Sequence, residues 1–544
     1  MQENNVFRLN HLGFPKNSYK GFTYVGKDNS GKFSLLIMKN GGLTEVFSGT
    51  MEFREKSEVS DACFVGDFSS ICEEGVYRLK VSDQVSRIFY IDDNVYDSLS
   101  RMITEFFVWQ RCGDKKGWNG LCHMDDKLVD KFGDVHYLNG GHHQSGDLRK
   151  WAFGVPRGIF GLSEYLKLGN PLWNDGEIEY DIAHSVKYFL NRQSREGYIF
   201  DCSFVPFDYD AKKSHGKGFE DYSSFHKAFR YYDRACDQLG LWNTLMMFIS
   251  ASTSLKDYDE SLANRSREGA LKLWDYMQST GRYTSDFDWI DYPPIGHDGF
   301  KQTFFDLFYE DSLPNLVYEV YCAIGLYKLV RDESIKNRAF ESLKKLSDLM
   351  VCDKDGAMKY FKQSSLSDKP SKLFSSNAPL AFAFALETFD DNEQTVLWKK
   401  VCEGVLKGYE KQIKENAYQI VSNDPDGFYS YLFITDHSYT VIFLSKLAKF
   451  FGKERTLPLA QRLIDFIVGF NPADISAVEG VGYNQAQHAL FGEYFPSQPQ
   501  IPGGVFTDFN TKRNSFDNYG VEYDLPLAGE YLYAVNEYLK ALEI

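Results

Sequence analysis

The spacing of hydrophobic residues changes once along the chain, near residue 95. Before that point, short runs alternate apolar and polar positions between turn residues, a period of two that is typical of β-strands. There are seven such runs: FRLNHLGF, KGFTYVG, FSLLIMKN, TEVFSG, ACFVGDF, GVYRLKVS and SRIFYIDD. Seven strands in fewer than about 100 residues predict a small β-sandwich of the immunoglobulin-like kind over residues 1–95.

From residue 96 onward, apolar residues recur every three to four positions, as in amphipathic helices. Twelve helical segments are predicted, at about 98–112, 151–168, 177–193, 236–252, 262–279, 315–331, 336–353, 376–388, 395–412, 434–451, 457–469 and 526–543. Twelve helices without convincing strands between them predict an all-α domain over residues 96–544, with six helical hairpins closed into an (α/α)6 toroid. An open helical solenoid is the alternative. The long connections between the helices are expected to carry the function.

Composition excludes some classes of partner. The formal net charge is −16, and no stripe of Lys and Arg is present, which argues against nucleic acid. No apolar run approaches the roughly 18 residues of a membrane span. Aromatic residues make up 16% of the chain, which modestly favours a carbohydrate ligand. The sequence does not specify the oligomeric state.

The nine cysteines are odd in number and scattered, which favours free thiols in a reducing compartment. Met1–Asn10 lacks the charged and apolar regions of a signal peptide. We therefore expect a cytoplasmic protein.

One segment concentrates chemistry. The sequence GGHHQSGDLRKW, residues 140–151, places a carboxylate (Asp147), two imidazoles (His142 and His143), an amide (Gln144) and the cation of Arg149 on a turn with three glycines. Glycine permits backbone geometries that press neighbouring polar groups toward a ligand. We interpret this glycine-rich loop as an active-site loop. The alternative is an ordinary polar turn in which Asp147 caps the next helix.

Several motifs along the chain resemble those of glycoside hydrolase family 9, the inverting cellulases, in the subgroup with an N-terminal immunoglobulin-like domain. They occur in the family's order: FRLNHLGF, FYIDDNVYDSLSRMITEFFVWQRCG, CHMDD, GGHHQSGD, FIVGFNPADISAVEGVGYN, IPGGVF and NYGVEYDLPLAGEYLYAV. The resemblance implies a toroidal catalytic domain, an oligosaccharide or other glycan substrate, and no cofactor.

The resemblance assigns roles in the glycine-rich loop. The family loop reads Gly-Gly-aromatic-aromatic-Asp-Ala-Gly-Asp, and its second Asp, the general base, corresponds to Asp147. The first Asp, which helps to hold the attacking water, is replaced by Gln144, an uncharged group that can still hydrogen-bond water. His142 and His143 occupy the aromatic positions. With Arg149 and Trp151, these histidines are expected to bind substrate.

The family's general acid is missing at its expected position. Alignment on Pro526 and Leu527 places Asn518 where the family has its catalytic Glu. Because inversion needs an acid opposite the base, Glu522 is the best substitute by position, and Asp517 is a further candidate. The family's His-His-Arg substrate cluster is reduced to His488, which implies an altered substrate.

Two other functional classes stay open. Tyr519, together with His142 or His143, resembles the proton-exchanging groups of toroidal polysaccharide or oligosaccharide lyases. Loss of the family acid would also permit a non-catalytic carbohydrate-binding protein. We rank both below an inverting glycoside hydrolase that acts on a β-linked oligosaccharide or a modified sugar conjugate.

Metal binding is not expected. His142, His143 and Asp147, with Cys122 and His123 upstream, offer ligand atoms for zinc, but adjacent histidines point in different directions and no ligand spacing repeats. The acidic turn SNDPDG, with Asp424 and Asp426, resembles a calcium loop, although a plain Asx turn explains it better.

Overall fold

The computed structural model describes the chain in segments. They are residues 6–26, 31–54, 62–146, 148–169, 176–204, 229–280, 311–371, 375, 377–389, 392–421, 433–485, 501–507 and 523–543. Within these segments, no helix combines the length and the hydropathy needed to cross a membrane.

The N-terminal part is a β-sandwich, and every predicted run contains a strand. Within the described segments its strands are β1 (Phe7–Arg8), β2 (Gly13–Phe14), β3 (Gly21–Val25), β4 (Lys32–Lys39), β5 (Gly42–Arg54), β6 (Cys63–Asp67), β7 (Gly75–Val81), β8 (Gln84–Val85) and β9 (Phe89–Ile91). The strand order is β1-β3-β6-β5-β4-β7-β9-β2, with β8 on β7, and all pairs are antiparallel except β2–β9. The sequence gives no signal for the two-residue strand β8.

Strand β5 joins the two layers of the sandwich. Its residues 42–50 pair with β4, and its residues 51–54 pair with β6. The space between the layers is filled by aromatic and aliphatic side chains that are almost fully buried, including Phe7, Phe14, Phe22, Phe33 and Tyr77. This core is separate from that of the helical part.

Each of the twelve predicted helical segments coincides with a helix. The helices are α1 (Asp97–Trp109), α2 (Val155–Lys167), α3 (Glu177–Asn191), α4 (Gln238–Ser254), α5 (Glu260–Ser279), α6 (Leu313–Val330), α7 (Glu333–Leu349), α8 (Asn377–Thr388), α9 (Thr395–Glu415), α10 (Phe433–Phe451), α11 (Lys453–Ile467) and α12 (Leu525–Glu543). The predicted ends are wrong by a few residues, as at 98–112 and 457–469.

Six of these helices form an inner set. In the order α2, α4, α6, α8, α10 and α12, each packs on the next, and α12 packs on α2. Helices α4, α6 and α8 are apolar on nearly every face and are buried on nearly every face. Their partners α5, α7 and α9 are amphipathic and lie outside them.

Polar contacts also tie inner helices together near their N-terminal ends. The guanidinium of Arg157 on α2 donates to Glu530 on α12 (2.8 Å) and to Thr435 on α10 (2.9 Å). Thr435 in turn donates to the other oxygen of Glu530 at 2.8 Å. All three side chains are buried. The ion pair of Arg157 and Glu530 is stable there only because each charge has hydrogen-bond partners.

The prediction that the chain stays helical after residue 96 is wrong. In the part of the chain that the structure describes, small sheets interrupt the helices: β10 (Lys127–Val129) with β11 (Val135–Tyr137), β12 (Phe200–Phe204) with β13 (Phe229–Ala235), and β14 (Met350–Cys352) with β15 (Met358–Ser364) and β16 (Ser367–Pro370). These strands are mostly three to seven residues long. Such short strands leave little periodicity in the sequence.

A buried carboxyl joins the sandwich to the helical part. Asn10, between β1 and β2, donates to Asp465 on α11 at 2.8 Å, and Gln461 donates to the same oxygen at 2.6 Å. Burial raises the pKa of Asp465 to about 7 from its usual 3.8. Because the folded protein holds this proton more tightly than the unfolded chain, its contribution to stability is complete below about pH 4 and declines as pH rises to about 7.

We predict that Asp465→Asn reduces the pH dependence of stability. The difference in the free energy of unfolding between pH 5 and pH 8 should shrink by about 1–3 kcal/mol relative to wild type, because asparagine has no proton to lose in this pH range. Urea unfolding at both pH values measures this difference. Asp368→Asn, at an exposed carboxyl, is the control and should leave the gap unchanged. Equal gaps in wild type and Asp465→Asn would show that burial does not perturb this carboxyl.

Candidate functional site

Backbone hydrogen bonds hold the glycine-rich loop on two sides. On one side, Cys112 N–H donates to Gly141 O and His143 N–H donates to Gln110 O, both at 2.8 Å. On the other side, Leu525 N–H, at the start of α12, donates to Gln144 O at 2.8 Å. The loop is thereby fixed between the end of α1 and the beginnings of the inner helices α2 and α12. Gly141 has a φ of +75°, and a Cβ there would lie 2.9 Å from the Tyr188 ring.

His142 lies inside a buried charge cluster. Its Nε2 donates to Asp181 at 2.9 Å, and its Nδ1 is hydrogen-bonded to Ser185 at 2.7 Å. Asp181 also accepts from Arg111 at 2.5 Å. Burial lowers the pKa of His142, so its ring is neutral near pH 7. Because both ring nitrogens are engaged by protein groups, His142 shapes the loop. Its predicted contact with substrate stays a prediction.

His143 points to the other side of the loop, into a second cluster. The Cys–His cluster comprises Cys112, Cys122, His123 and His143, all buried, with one ligand atom from each within 4.8 Å of the others. The two sulfurs are 3.8 Å apart, Cys122 Sγ lies 3.4 Å from His143 Nε2, and Cys112 Sγ lies 3.5 Å from His123 Nδ1.

These distances fit a tetrahedral metal. Two sulfurs that each bind one zinc at about 2.3 Å lie about 3.8 Å apart, and a sulfur and a nitrogen lie about 3.6 Å apart. A hydrogen bond from Cys112 and the two neighbouring histidines hold the pKa of the Cys122 thiol far below its usual range. Burial lowers the pKa of His123 to about 4. A thiolate and a neutral imidazole are the forms that bind metal, which suits Cys122 and His123. Burial raises the pKa of the Cys112 thiol, so zinc would have to displace its proton. With that proton released, the four residues could hold zinc.

The structure thus brings together four residues that the sequence analysis did not expect to bind metal, and whether they bind one stays a prediction. Adjacent histidines do point in different directions, but this places only His143 in the cluster and leaves His142 with Asp181. The four candidate ligands come from the end of α1, from the turn at Cys122 and His123, and from the glycine-rich loop. Cys112 was missed because a lone cysteine ten residues before CysHis is not a spacing that signals zinc. The cluster joins the loop to its neighbours and supplies no group to Gln144.

Gln144 has an unused hydrogen-bonding atom. The residue is 8% exposed, and its side-chain Oε1 has no hydrogen-bond partner within the described segments. It packs against Gly154, the residue before α2, where a Cβ would lie 1.9 Å from Oε1. A buried carbonyl without a donor is costly, so a bound water or substrate hydroxyl would stabilise it.

Arg149 and Trp151 lie together at the end of the loop. The guanidinium of Arg149 is 5.7 Å from the centre of the Trp151 ring, and Arg149 O accepts from Gln144 N–H at 2.7 Å. Trp151 is largely buried and packs near Phe153. Both residues thus support the turn that contains Gln144, and their contact with substrate stays a prediction.

The remaining predicted residues lie outside the described segments. They are Asp147, Asn518, Tyr519, Glu522 and His488, together with Asp424, Asp426 and Asp517. Their roles rest on the sequence alone.

We predict that the purified protein contains about one zinc per chain. Cys122→Ser should abolish zinc binding and lower the melting temperature, because a structural metal contributes directly to folding. Elemental analysis and thermal unfolding, with and without chelator, measure both effects. Cys402→Ser, which changes a buried cysteine on α9, should keep the metal. Chelator-resistant melting with no bound metal would contradict the assignment.

Part of the chain is similar in sequence to known carbohydrate-active enzymes. The chain shares 30% identity over 155 residues with a cellodextrinase of Butyrivibrio fibrisolvens, covering 26% of this chain and 27% of that protein. It shares 29% identity over 153 residues with endoglucanase D of Acetivibrio thermocellus, covering 26% of this chain and 23% of that protein. The match thus spans about a quarter of the length of these relatives.

The fold is similar to that of several solved structures. A family 9 protein of Bacteroides ovatus has a TM-score of 0.71 at 16% identity over 99% of both chains. A metagenome-derived family 9 endoglucanase has a TM-score of 0.71 at 14% identity, over 98% of this chain and 99% of that one. Residues 2–86 match the model of the cellulase N-terminal ig-like domain, and residues 96–490 match that of glycosyl hydrolase family 9. Because the second match covers well over half of the sequence, the chain belongs to glycosyl hydrolase family 9.

Proposed function

We propose that this protein is a glycoside hydrolase that cleaves a β-linked oligosaccharide, or a modified sugar conjugate, with inversion. The observation that carries the proposal is the buried, unpartnered Oε1 of Gln144. It lies on the loop where the family has its water-activating carboxylates. The cellodextrinase and endoglucanase relatives make a β-glucan oligosaccharide the first substrate to test.

The fold supports this reaction. We infer that the closed set α2, α4, α6, α8, α10 and α12, with the other helices outside it, is the (α/α)6 toroid. The glycine-rich loop lies at the N-terminal ends of α2 and α12, where the first turns expose backbone N–H groups. In this arrangement the substrate lies across that end of the ring, over Gln144.

Asp147 acts as the general base in this proposal. It removes a proton from water as the water attacks the anomeric carbon, and Gln144 Oε1 accepts the water's second proton in a hydrogen bond. An amide at position 144 orients the water without adding a second negative charge beside Asp147. Base and acid must stand about 6.5–9.5 Å apart to leave room for this water.

The proton donor to the leaving group is the open part of the mechanism. Glu522 is our proposed acid, because it is the carboxyl nearest in sequence to Asn518 that aligns with a family acidic position. A lyase would instead use Tyr519 with His142 or His143. The buried bonds of His142 and the position of His143 in the Cys–His cluster leave Tyr519 as the principal donor for that alternative.

None of the nine cysteines, all of which lie in the described segments, forms a disulfide, and seven are buried. This supports the proposal of a cytoplasmic location, where oligosaccharides rather than polymers would be the substrate.

We predict that Asp147→Asn lowers turnover of cello-oligosaccharides by about 10³-fold or more without lowering the melting temperature, because no other group replaces the base. Proton NMR of the first product should show the anomer opposite to the substrate linkage. Gln144→Ala serves as the comparison and should cost about tenfold to 10²-fold, since water is held less well but is still activated. Wild-type rates in folded Asp147→Asn would refute the assignment.

A second pair of variants identifies the proton donor. Glu522→Gln should slow cleavage of natural glycosides by about 10²-fold or more but hardly slow activated aryl glycosides, whose leaving groups need no proton. Tyr519→Phe should leave the rate of cleavage of both kinds of substrate unchanged. If Tyr519→Phe is instead the crippling change and the products absorb as unsaturated sugars, the enzyme is a lyase. Binding of glycans without any cleavage would show a non-catalytic protein.

A further inference from the structure

The N-terminal sandwich inserts one side chain into the helical part next to the last long connection. His11, between β1 and β2, has a fully enclosed ring, and its backbone N–H donates to Val468 O at 2.9 Å. A Cβ on Gly469 would lie 2.1 Å from the ring, and a Cβ on Gly482 would lie 2.6 Å from its Nδ1. Two glycines thus form the walls of a socket that the imidazole fills.

Polar and aromatic contacts fix the ring in this socket. His11 Nε2 donates to Asp474 at 3.1 Å, and the hydroxyl of Tyr483 donates to the same oxygen at 3.0 Å. The rings of His11 and Tyr483 are stacked, with centres 3.7 Å apart. Arg87, also from the sandwich, lies 4.4 Å from the centre of the Tyr483 ring. The sandwich therefore holds residues 469–483 from two positions.

A series of backbone pairs runs from this socket to the glycine-rich loop. We call it the bridge ladder, and it comprises the pairs Val468–Ser476, Val478–Val505, Phe506–Tyr523 and Asp524–Ser145. Hydrogen bonds of 2.8–2.9 Å connect its steps: Phe506 N–H to Ala477 O, Asp524 N–H to Val505 O, and Leu525 N–H to Gln144 O. The last of these hydrogen bonds reaches Gln144, whose side-chain carbonyl is our proposed acceptor for the attacking water.

We infer that His11 is a positioning residue for the reaction, acting through the bridge ladder to set the place of Gln144. This inference rests on the proposed function for its effect on catalysis but not for its effect on structure. Each step of the ladder is a short segment held by backbone bonds on both sides, so a shift at the socket displaces the next strand as a unit. A displacement of about 1 Å at a reacting group can cost about 10²-fold in rate.

The first test is His11→Ala. It should lower kcat for cellotetraose by about tenfold or more while KM changes by less than about threefold, because the water is misplaced while the sugar contacts remain. His11→Gln, which can still reach Asp474, should recover part of the loss. The matched control is Thr23→Val, which removes the bond from Thr23 Oγ1 to Ala417 O (2.6 Å) between the same two parts of the protein but away from the ladder. Its kcat should match wild type.

A second variant approaches the socket from the opposite wall. Gly482→Ala should lower kcat because its Cβ collides with the imidazole and because a φ of +85° strains alanine there. In His11→Ala/Gly482→Ala the backbone strain remains but the collision is absent, so the second substitution should cost several-fold less than it does alone. Additive losses would show that the two substitutions act separately and would overturn the inference.

Hydrogen exchange separates this inference from the proposed function. The amides of Phe506, Asp524 and Leu525 should exchange about tenfold faster in His11→Ala than in wild type or Thr23→Val, whatever the substrate is. If wild type cleaves no cello-oligosaccharide but these amides respond, the proposed function fails and the ladder stands. Unchanged exchange at these amides, or equal kcat in His11→Ala and Thr23→Val, would refute the positioning role.

Discussion

The site depends on the pairing of the glycine-rich loop with two unrelated parts of the chain. Its first half bonds to the end of α1 through Gly141 and His143, and its second half bonds to the start of α12 through Gln144. A loop held by backbone bonds on both sides has few alternative positions, so the side chains it carries are placed before substrate arrives. Such preorganisation contributes strongly to the rate enhancement of enzymes in general.

The helical architecture could be predicted because its signal is long and repeated. Helices α4, α6 and α8 are apolar on nearly all faces and α5, α7 and α9 on one face, and this difference already separates inner from outer helices. The short sheets between helices could not be predicted, since three-residue strands such as β10 contain too few positions to show a period. Their pairing depends on the tertiary structure that brings them together.

The candidate site was predictable in part. Gln144 and His143 stood out because they sit in one compact, glycine-rich segment. Cys112 did not, because its partners are brought to it only when α1 ends beside the loop. The socket for His11 was also out of reach, since glycines at positions 469 and 482 look like ordinary turn residues until the ring between them is seen. The sequence records which groups are present, and the fold decides which of them meet.

The alternation of His142 and His143 across the loop has a consequence for how this segment can change. Neighbouring residues in extended backbone point to opposite sides, so His142 serves the carboxylate of Asp181 while His143 serves the thiols. Loss or gain of a single residue before them would reverse the two faces and send Gly141 or Gln144 into one of the buried clusters. We therefore expect this segment to tolerate substitutions more readily than insertions or deletions. Its length would then identify the site better than the identities of its residues.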